Sequence, residues 1–479
     1  MKQRFSTLMM GAAVLTAALP AYAQDATPAA EAASEDLATL LTNVTQEELQ
    51  KKIEAGEFDV NSRDKDNNSA LLVATINRRT DLVYVLLANG ADVNFEKESG
   101  VTPLTIACLY DDWSLIDLLI THGANVNYCA ENGESTLSVA CAQGAVNAVQ
   151  MLLVNKANPN VTDARGLTPL LHAILHRAET AADITRLLLE YKADANAGTP
   201  TGFTPLMGAA QHNDTPVAEL LLEHGANVNA RQTNGAAALS IAVALGHAPM
   251  VELLLNHKAD INAGINARTS LLAYASMLAR ADIMELLLSH GANGNTRDAV
   301  SQSTPLHVTA TGNELMADSL KLMGAGDLLG THEAYMDAAG ACQALLMHGA
   351  EVDATDKHGT TPLMIAAMDG CVETLKVLLE HKANINAADA AGRTPLILAV
   401  LSAEDKASIS LTDVSPQAVD KLRPTVIKSM TEYPDVVGTV RVLLENGADI
   451  NAKDKKGKTA LDYATDEEVR KLLEAAAAK

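Results

Sequence analysis

Aromatic residues make up only 3% of this 479-residue chain, with one tryptophan and four phenylalanines. Where the few rings gather is therefore informative, and Tyr84, Phe95, Tyr110, Trp113 and Tyr128 gather early in the chain. Positive charge is also short. Thirty-six Lys and Arg stand against 59 Asp and Glu, a formal net charge of −23. That balance excludes the basic footprint that nucleic-acid phosphates demand and the polybasic segments that bind anionic membranes. It suits a molecule that resists self-association, or one whose partner is basic. Past the extreme N-terminus, no stretch is apolar enough to span a bilayer. Recognisable catalytic signatures are missing as well.

The N-terminus reads separately from the rest. Lys2 and Arg4 precede an uncharged stretch from Phe5 to Pro20, closed by Ala21-Tyr22-Ala23. A charged start, an apolar middle and an A-x-A close predict a cleavable signal peptide over residues 1–23. The apolar stretch is short for a membrane anchor, and Gln24 after the cut offers no thiol for lipid attachment. The expectation is export, with a periplasmic or secreted destination. Losing Lys2 and Arg4 takes the net charge from −23 to −25. Residues 24–35, rich in Ala with Pro28, Glu31 and Glu35, read as a disordered leader.

What is present in abundance is repetition. Leu71, Leu104, Leu137 and Leu170 stand 33 residues apart, and the ladder continues at Leu206, Leu239, Leu272, Leu306, Leu363, Leu396 and Leu461. Each opens a phrase seen most clearly as Thr102-Pro103-Leu104-x-x-Ala107, Thr168-Pro169-Leu170-x-x-Ala173 and Thr361-Pro362-Leu363-x-x-Ala366. A second phrase follows about twenty residues later, as in Gly90-Ala91-Asp92-Val93-Asn94 and Gly447-Ala448-Asp449-Ile450-Asn451. A fixed period of this length means a stack of small units, none able to bury its apolar face alone.

One unit can be derived from its residues. Threonine caps the free N–H groups of a first helix, and proline at the first helical position gives up a hydrogen it could not use there. Leu104, Ala107 and Cys108 form one apolar face; Leu115, Ile116, Leu118 and Leu119 supply a second helix after a turn at Asp111 and Asp112. Gly123 ends that helix in the left-handed region, and 125–133 projects as a hairpin. These residues resemble the ankyrin repeat family from about residue 36 to the C-terminus. The resemblance implies an all-α solenoid of about eleven helix–turn–helix repeats with short β-hairpin loops, binding protein along its concave side. Departures are visible. Lys156, Lys192, Lys258 and Lys382 replace the helix-ending glycine, Ala237 a capping threonine, and Arg268 and Gln302 the hairpin glycine. A left-handed lysine costs about 1–2 kcal/mol, partly offset by its attraction to the helix C-terminus. Residues 46–61 read as an opening half-repeat, and Asp466–Lys479 as a closing helix.

Longer steps locate insertions near 312–336 and 402–434, both in the turn joining first to second helix. Glu314–Leu322 is expected to add a helix in the first. The second, with Pro416, Pro424 and Pro434, is expected to be a partly ordered loop.

Several chemical lookalikes fail on context. Gly457-Lys458-Thr459 lacks the first glycine of a phosphate loop. Asp64-x-Asp66-x-Asn68 lacks the glycine and glutamate of a calcium loop. Histidines 122, 224, 257, 290, 348 and 381 recur at one repeat position, about 10 Å apart, too far to share a metal. Cys108 and Cys141 share another position and are expected in the core, Cys129 is the thiol expected at the surface, and a Cys342–Cys371 bridge is open. No catalytic site, metal or cofactor is assigned.

The sixth residue after each anchor should end the first helix and face the groove. In order it reads Tyr110, Gln143, His176, His212, Leu245 and Leu278. Trp113 is expected in the core, and Tyr110 and Tyr128 at the contact surface. The leading expectation is an exported, non-enzymatic scaffold holding or regulating a protein partner. The alternatives are a secreted effector acting on a host protein, or a metal-dependent enzyme built from His172, His176 and His212.

Overall fold

The computed structural model describes residues 37–97, 100–176, 179–262, 270–311, 337–410 and 434–478. The expected signal peptide and leader, Arg268, the 312–336 insertion with Glu314–Leu322, and residues 411–433 of the second insertion with Pro416 and Pro424 lie outside them. The chain divides into two units between Ala238 and Leu239.

Each unit is a stack of helix pairs. In the N-terminal unit a pair at Leu37–Asn43 and Gln46–Glu54 is followed by first helices Ala70–Ile76, Pro103–Leu109, Thr136–Gln143, Pro169–Leu175 and Pro205–His212. The matching second helices are Thr80–Ala88, Trp113–Thr121, Val146–Val154, Ala181–Glu190 and Thr215–Glu223. The opening unit is thus a full pair, not half of one. Thr45 caps its second helix in a reciprocal box with Glu48, a signal as clear as those that follow. The C-terminal unit continues with first helices such as Leu271–Met277, Pro305–Thr309, Pro362–Asp369 and Pro395–Ala399, and closes on Glu467–Ala477. No strands occur among the described residues. The hairpins are short loops bearing isolated bridges, Arg63 with Ser69 and Cys129 with Ser135.

The helices start where the sequence places their caps. Thr102, Thr168, Thr361 and Thr394 hydroxyls accept from the backbone N–H three residues on, and Ser69, Ser135 and Ser270 do the same. Most of the predicted set is core: Leu104, Ala107, Cys108, Leu115, Ile116 and Leu119 are buried, while Leu118 is half-buried. Each fully buried leucine contributes about 1.5–3 kcal/mol, but only because a neighbouring pair covers it. The Pro103–Leu109 helix packs on Thr136–Gln143, and that helix on Pro169–Leu175.

The glycine substitutions behave as their chemistry requires. Lys156, Lys192, Lys258 and Lys382 adopt φ of 68°, 71°, 64° and 66°, and Gln302 adopts 60°. The left-handed turn is kept, and the side chain bears the strain.

The second phrase has a structural purpose that periodicity alone did not disclose. Asn160 Nδ2 donates to Lys192 O at 3.0 Å, and its Oδ1 accepts from Asp194 N at 2.8 Å. Asn94, Asn127 and Asn196 repeat that pair of bonds onto the next repeat. Asn295 and Asn386 repeat it in the C-terminal unit. Each asparagine therefore satisfies a helix-end carbonyl and a loop N–H of its neighbour, groups that would otherwise need water. Asp353 occupies one of these places and accepts from Asn384 N, but has no hydrogen to donate.

Candidate protein-binding surface

In the N-terminal unit, six residues past the anchor, the first helices come to their ends and leave that position accessible. Tyr110 caps the Pro103–Leu109 helix and is 44% exposed. Its ring lies 5.7 Å from the Arg78 guanidinium, which is itself held at 3.0 Å by Asp112. Cation–π attraction and the ion pair hold the ring in place without covering it. Gln143 is exposed, and His176 and His212 are half-buried.

In the C-terminal unit the same position changes character. Leu245 is half-buried, but Leu278 is only 2% exposed. Leu278 is therefore a core residue rather than a contact residue. Leu272, Ala275 and Ala279 are buried beside it in sequence, and an apolar side chain at a helix end folds inward where neighbours offer cover. Counting onward from Leu363 gives Asp369, a position that the sequence reading left out. Asp369 is 5% exposed, and burial pushes its carboxyl up to about 7, with a lesser opposing pull from Lys406.

Two aromatic assignments come out differently. Tyr128 is half-buried, its hydroxyl pushed well above the usual range by burial and by Glu96. It borders a cavity of about 20 Å³ with Val101, Leu109 and Val139, room for one water and no metabolite. Trp113 is 55% exposed and not core. It is the first residue of its helix, and the inward positions go to Leu115, Ile116 and Leu119. The hydrophobic signal of a tryptophan misled there; its register relative to Leu115 was the better guide.

The histidine alternative fits poorly with the geometry. His172 and His176 rings stack with centroids 5.9 Å apart and planes 6° from parallel, so they lie face to face instead of aiming nitrogens at a common point. His172 Nε2 stands 3.3 Å from Asp163 Oδ2, close enough for attraction but off-line for a full hydrogen bond. Burial would raise the Asp163 carboxyl, yet His172, the Leu167 N–H and Arg165 outweigh it and hold it well below the usual range. Burial, then His172 and Arg165, lowers His176. Among the described residues no three His, Cys, Asp or Glu side chains are grouped to hold a metal. The recurrent histidines have a structural task instead. His122, His224, His290 and His381 Nδ1 atoms bond the carbonyl four residues back.

The lookalike motifs resolve in the same way. Lys458 lies over the Tyr463 ring and Thr459 caps a short helix, while Asp64 accepts from Asp66 and Asn68 within its own loop. All five cysteines are free thiols. Cys108 and Cys141 are buried, Cys129 is exposed, and Cys342 points its thiol at Thr309 rather than at Cys371. Burial pushes the Cys342 thiol up to about 12.

Stacked helix pairs clamped by hairpin asparagines define a repeat scaffold. The chain belongs to the ankyrin repeat family, whose model of three repeat copies matches residues 29–129, 137–232, 229–298 and 332–418. Ankyrin repeats generally serve as protein–protein interaction scaffolds. A solved ankyrin repeat domain from Acinetobacter baumannii AYE is 28% identical, covering 40% of this chain and 98% of that one, with a TM-score of 0.38. The human ASB11 ankyrin repeat domain is 23% identical, covering 52% of this chain and 98% of that one, with a TM-score of 0.40. No curated protein matches the chain. Among the described residues no helix is long and apolar enough to cross a membrane.

Proposed function

We propose that this chain is an exported, non-enzymatic scaffold that captures one protein partner and holds or regulates it. The observation that carries the reading is Tyr110, an exposed ring held by Arg78 at the end of a first helix. A ring fixed before binding loses little freedom on contact, and tyrosine is favoured at interface centres for that reason. Gln143, His176 and His212 extend the surface with adaptable polar contacts, and Leu245 is its candidate in the C-terminal unit. The net charge of −23 favours a partner with a basic face. Export rests on the N-terminal pattern of residues 1–23, and the destination is periplasmic or extracellular. Crosslinking in the native compartment tests the reading directly. One dominant captured protein, lost on Tyr110→Ala while the melting temperature holds, is the expected result. Equal capture by the Tyr110→Ala chain, or substrate turnover by the purified protein, would count against it.

A further inference from the structure

The position six after the anchor is open at Tyr110 and shut at Asp369, and the helix that opens the second insertion packs on the first helix that carries Asp369. Residues Ala403–Ser410 form a helix. Ser402 starts it, its hydroxyl accepting from Asp405 N and donating to the Asp405 carboxylate. Ala403, Ala407 and Ile409 pack in one cluster with Met364, Met368, Leu398 and Leu401. Met368 and Leu401 stand five residues after their anchors and are buried, whereas Leu109, Ala142 and Leu175 at that position are half-buried. The inserted helix thus lies over the surface that the N-terminal unit leaves open.

An electrostatic coupling accompanies this packing. Lys406 is 2% exposed and feels the charge of Asp369, whose Oδ1 is buried without a hydrogen bond. Two buried, oppositely charged groups, one with an unmatched oxygen, are weak evidence for stability, because desolvation offsets most of the attraction. Such a pair is better suited to fixing which segment sits there. An eight-residue helix with little apolar surface does not form alone in water, so docking and folding of this segment are one event. Where the insertion returns, Pro434 presses on the end of the same first helix. A Cβ at Gly370 would lie 2.6 Å from Pro434 Cβ.

We propose that residues 403–410 are a resident ligand of the C-terminal unit. They fill a site that reads a short helix bearing one lysine between small side chains, and withhold it until a segment of like chemistry replaces them. The proposal rests on reading the first-helix ends as a binding surface. Its test is separate from partner capture, so either can fail alone.

Hydrogen exchange of the full chain reads the docking. Lys406→Met keeps the length of the stem and removes the charge, leaving Asp369 facing no cation. Amides of 403–410 should then exchange about tenfold faster or more, while Pro362–Asp369 and Pro395–Ala399 keep wild-type protection. Adding Asp369→Leu to that variant should restore slow exchange, since apolar groups replace a buried pair at little cost. A synthetic peptide copying residues 402–410 should bind the Lys406→Met chain about tenfold more tightly than the wild type, whose site is filled by a tethered competitor. Unchanged exchange in Lys406→Met would overturn the proposal. So would equal deprotection of the two first helices, which would make the segment ordinary core, or peptide binding that is absent or equal for both chains.

Discussion

Tyr110 and Asp369 occupy the same place in their repeats, yet one presents a ring to solvent and the other is buried where an inserted helix packs on Met364 and Met368 of the same first helix. The repeat dictates where a side chain stands. Whatever is inserted between the paired helices dictates whether anything can reach it. In the N-terminal unit Tyr110 stays 44% exposed, with the Arg78 guanidinium 5.7 Å from its ring. Around Pro362–Asp369 in the C-terminal unit, the surface carries its own occupant. The same backbone position is therefore open at Tyr110 and closed at Asp369.

The contrast can be sharpened by substitution, beginning with the largest effect. Leu278→Ala should cost about 2–5 kcal/mol, as cavity-forming changes do, read as a lower urea midpoint. Tyr110→Ala at the equivalent place should stay within about 0.5 kcal/mol of wild type while reducing partner capture. Comparable destabilisation by the two would erase the distinction between buried and open positions. Next, Asn160→Ala removes both bonds to the following repeat and should cost about 1–3 kcal/mol. Asp353→Asn supplies the missing donor in the C-terminal unit and should gain about 1 kcal/mol, both by equilibrium denaturation.

Acid should separate the units by sign. Asp163 is held below its unfolded value, so its contribution is present above about pH 4 and fades as pH falls below that. Asp369 is raised, so its contribution is full below about pH 4 and is lost as pH rises through about 7. Midpoints of Asp163→Asn and Asp369→Asn against wild type across that range should diverge in opposite senses. Parallel curves would show that one of the two environments is misread. The smallest effect is at the helix ends. Lys156→Gly relieves left-handed strain but adds chain entropy, for a net gain of about 0.5–1 kcal/mol, visible as a slightly higher melting temperature.

Periodic features were legible because they repeat: the Thr caps, the anchor leucines, and the strained lysines all follow from spacing and stereochemistry. Features that depend on a single non-repeated contact were not. Nothing in the sequence ties Lys406 to Asp369, 37 residues earlier, because that pairing obeys no period. Trp113 failed for a different reason: residue type suggested core, while helix register places it at the edge. Leu278 failed because a shared count does not guarantee a shared neighbourhood. For Asp369 the count itself was enough to find the residue, and only its cover was hidden.

The asparagine clamps bear on how such a chain changes over generations. Each joins one repeat to the next by the same two bonds, so donor and acceptor are interchangeable along the stack. Excising or duplicating a whole 33-residue block would bring a new asparagine against a new carbonyl and re-form the joint unchanged. Repeat number can therefore drift by unequal recombination at little energetic penalty, whereas a cut inside a block leaves one half of a joint without its mate.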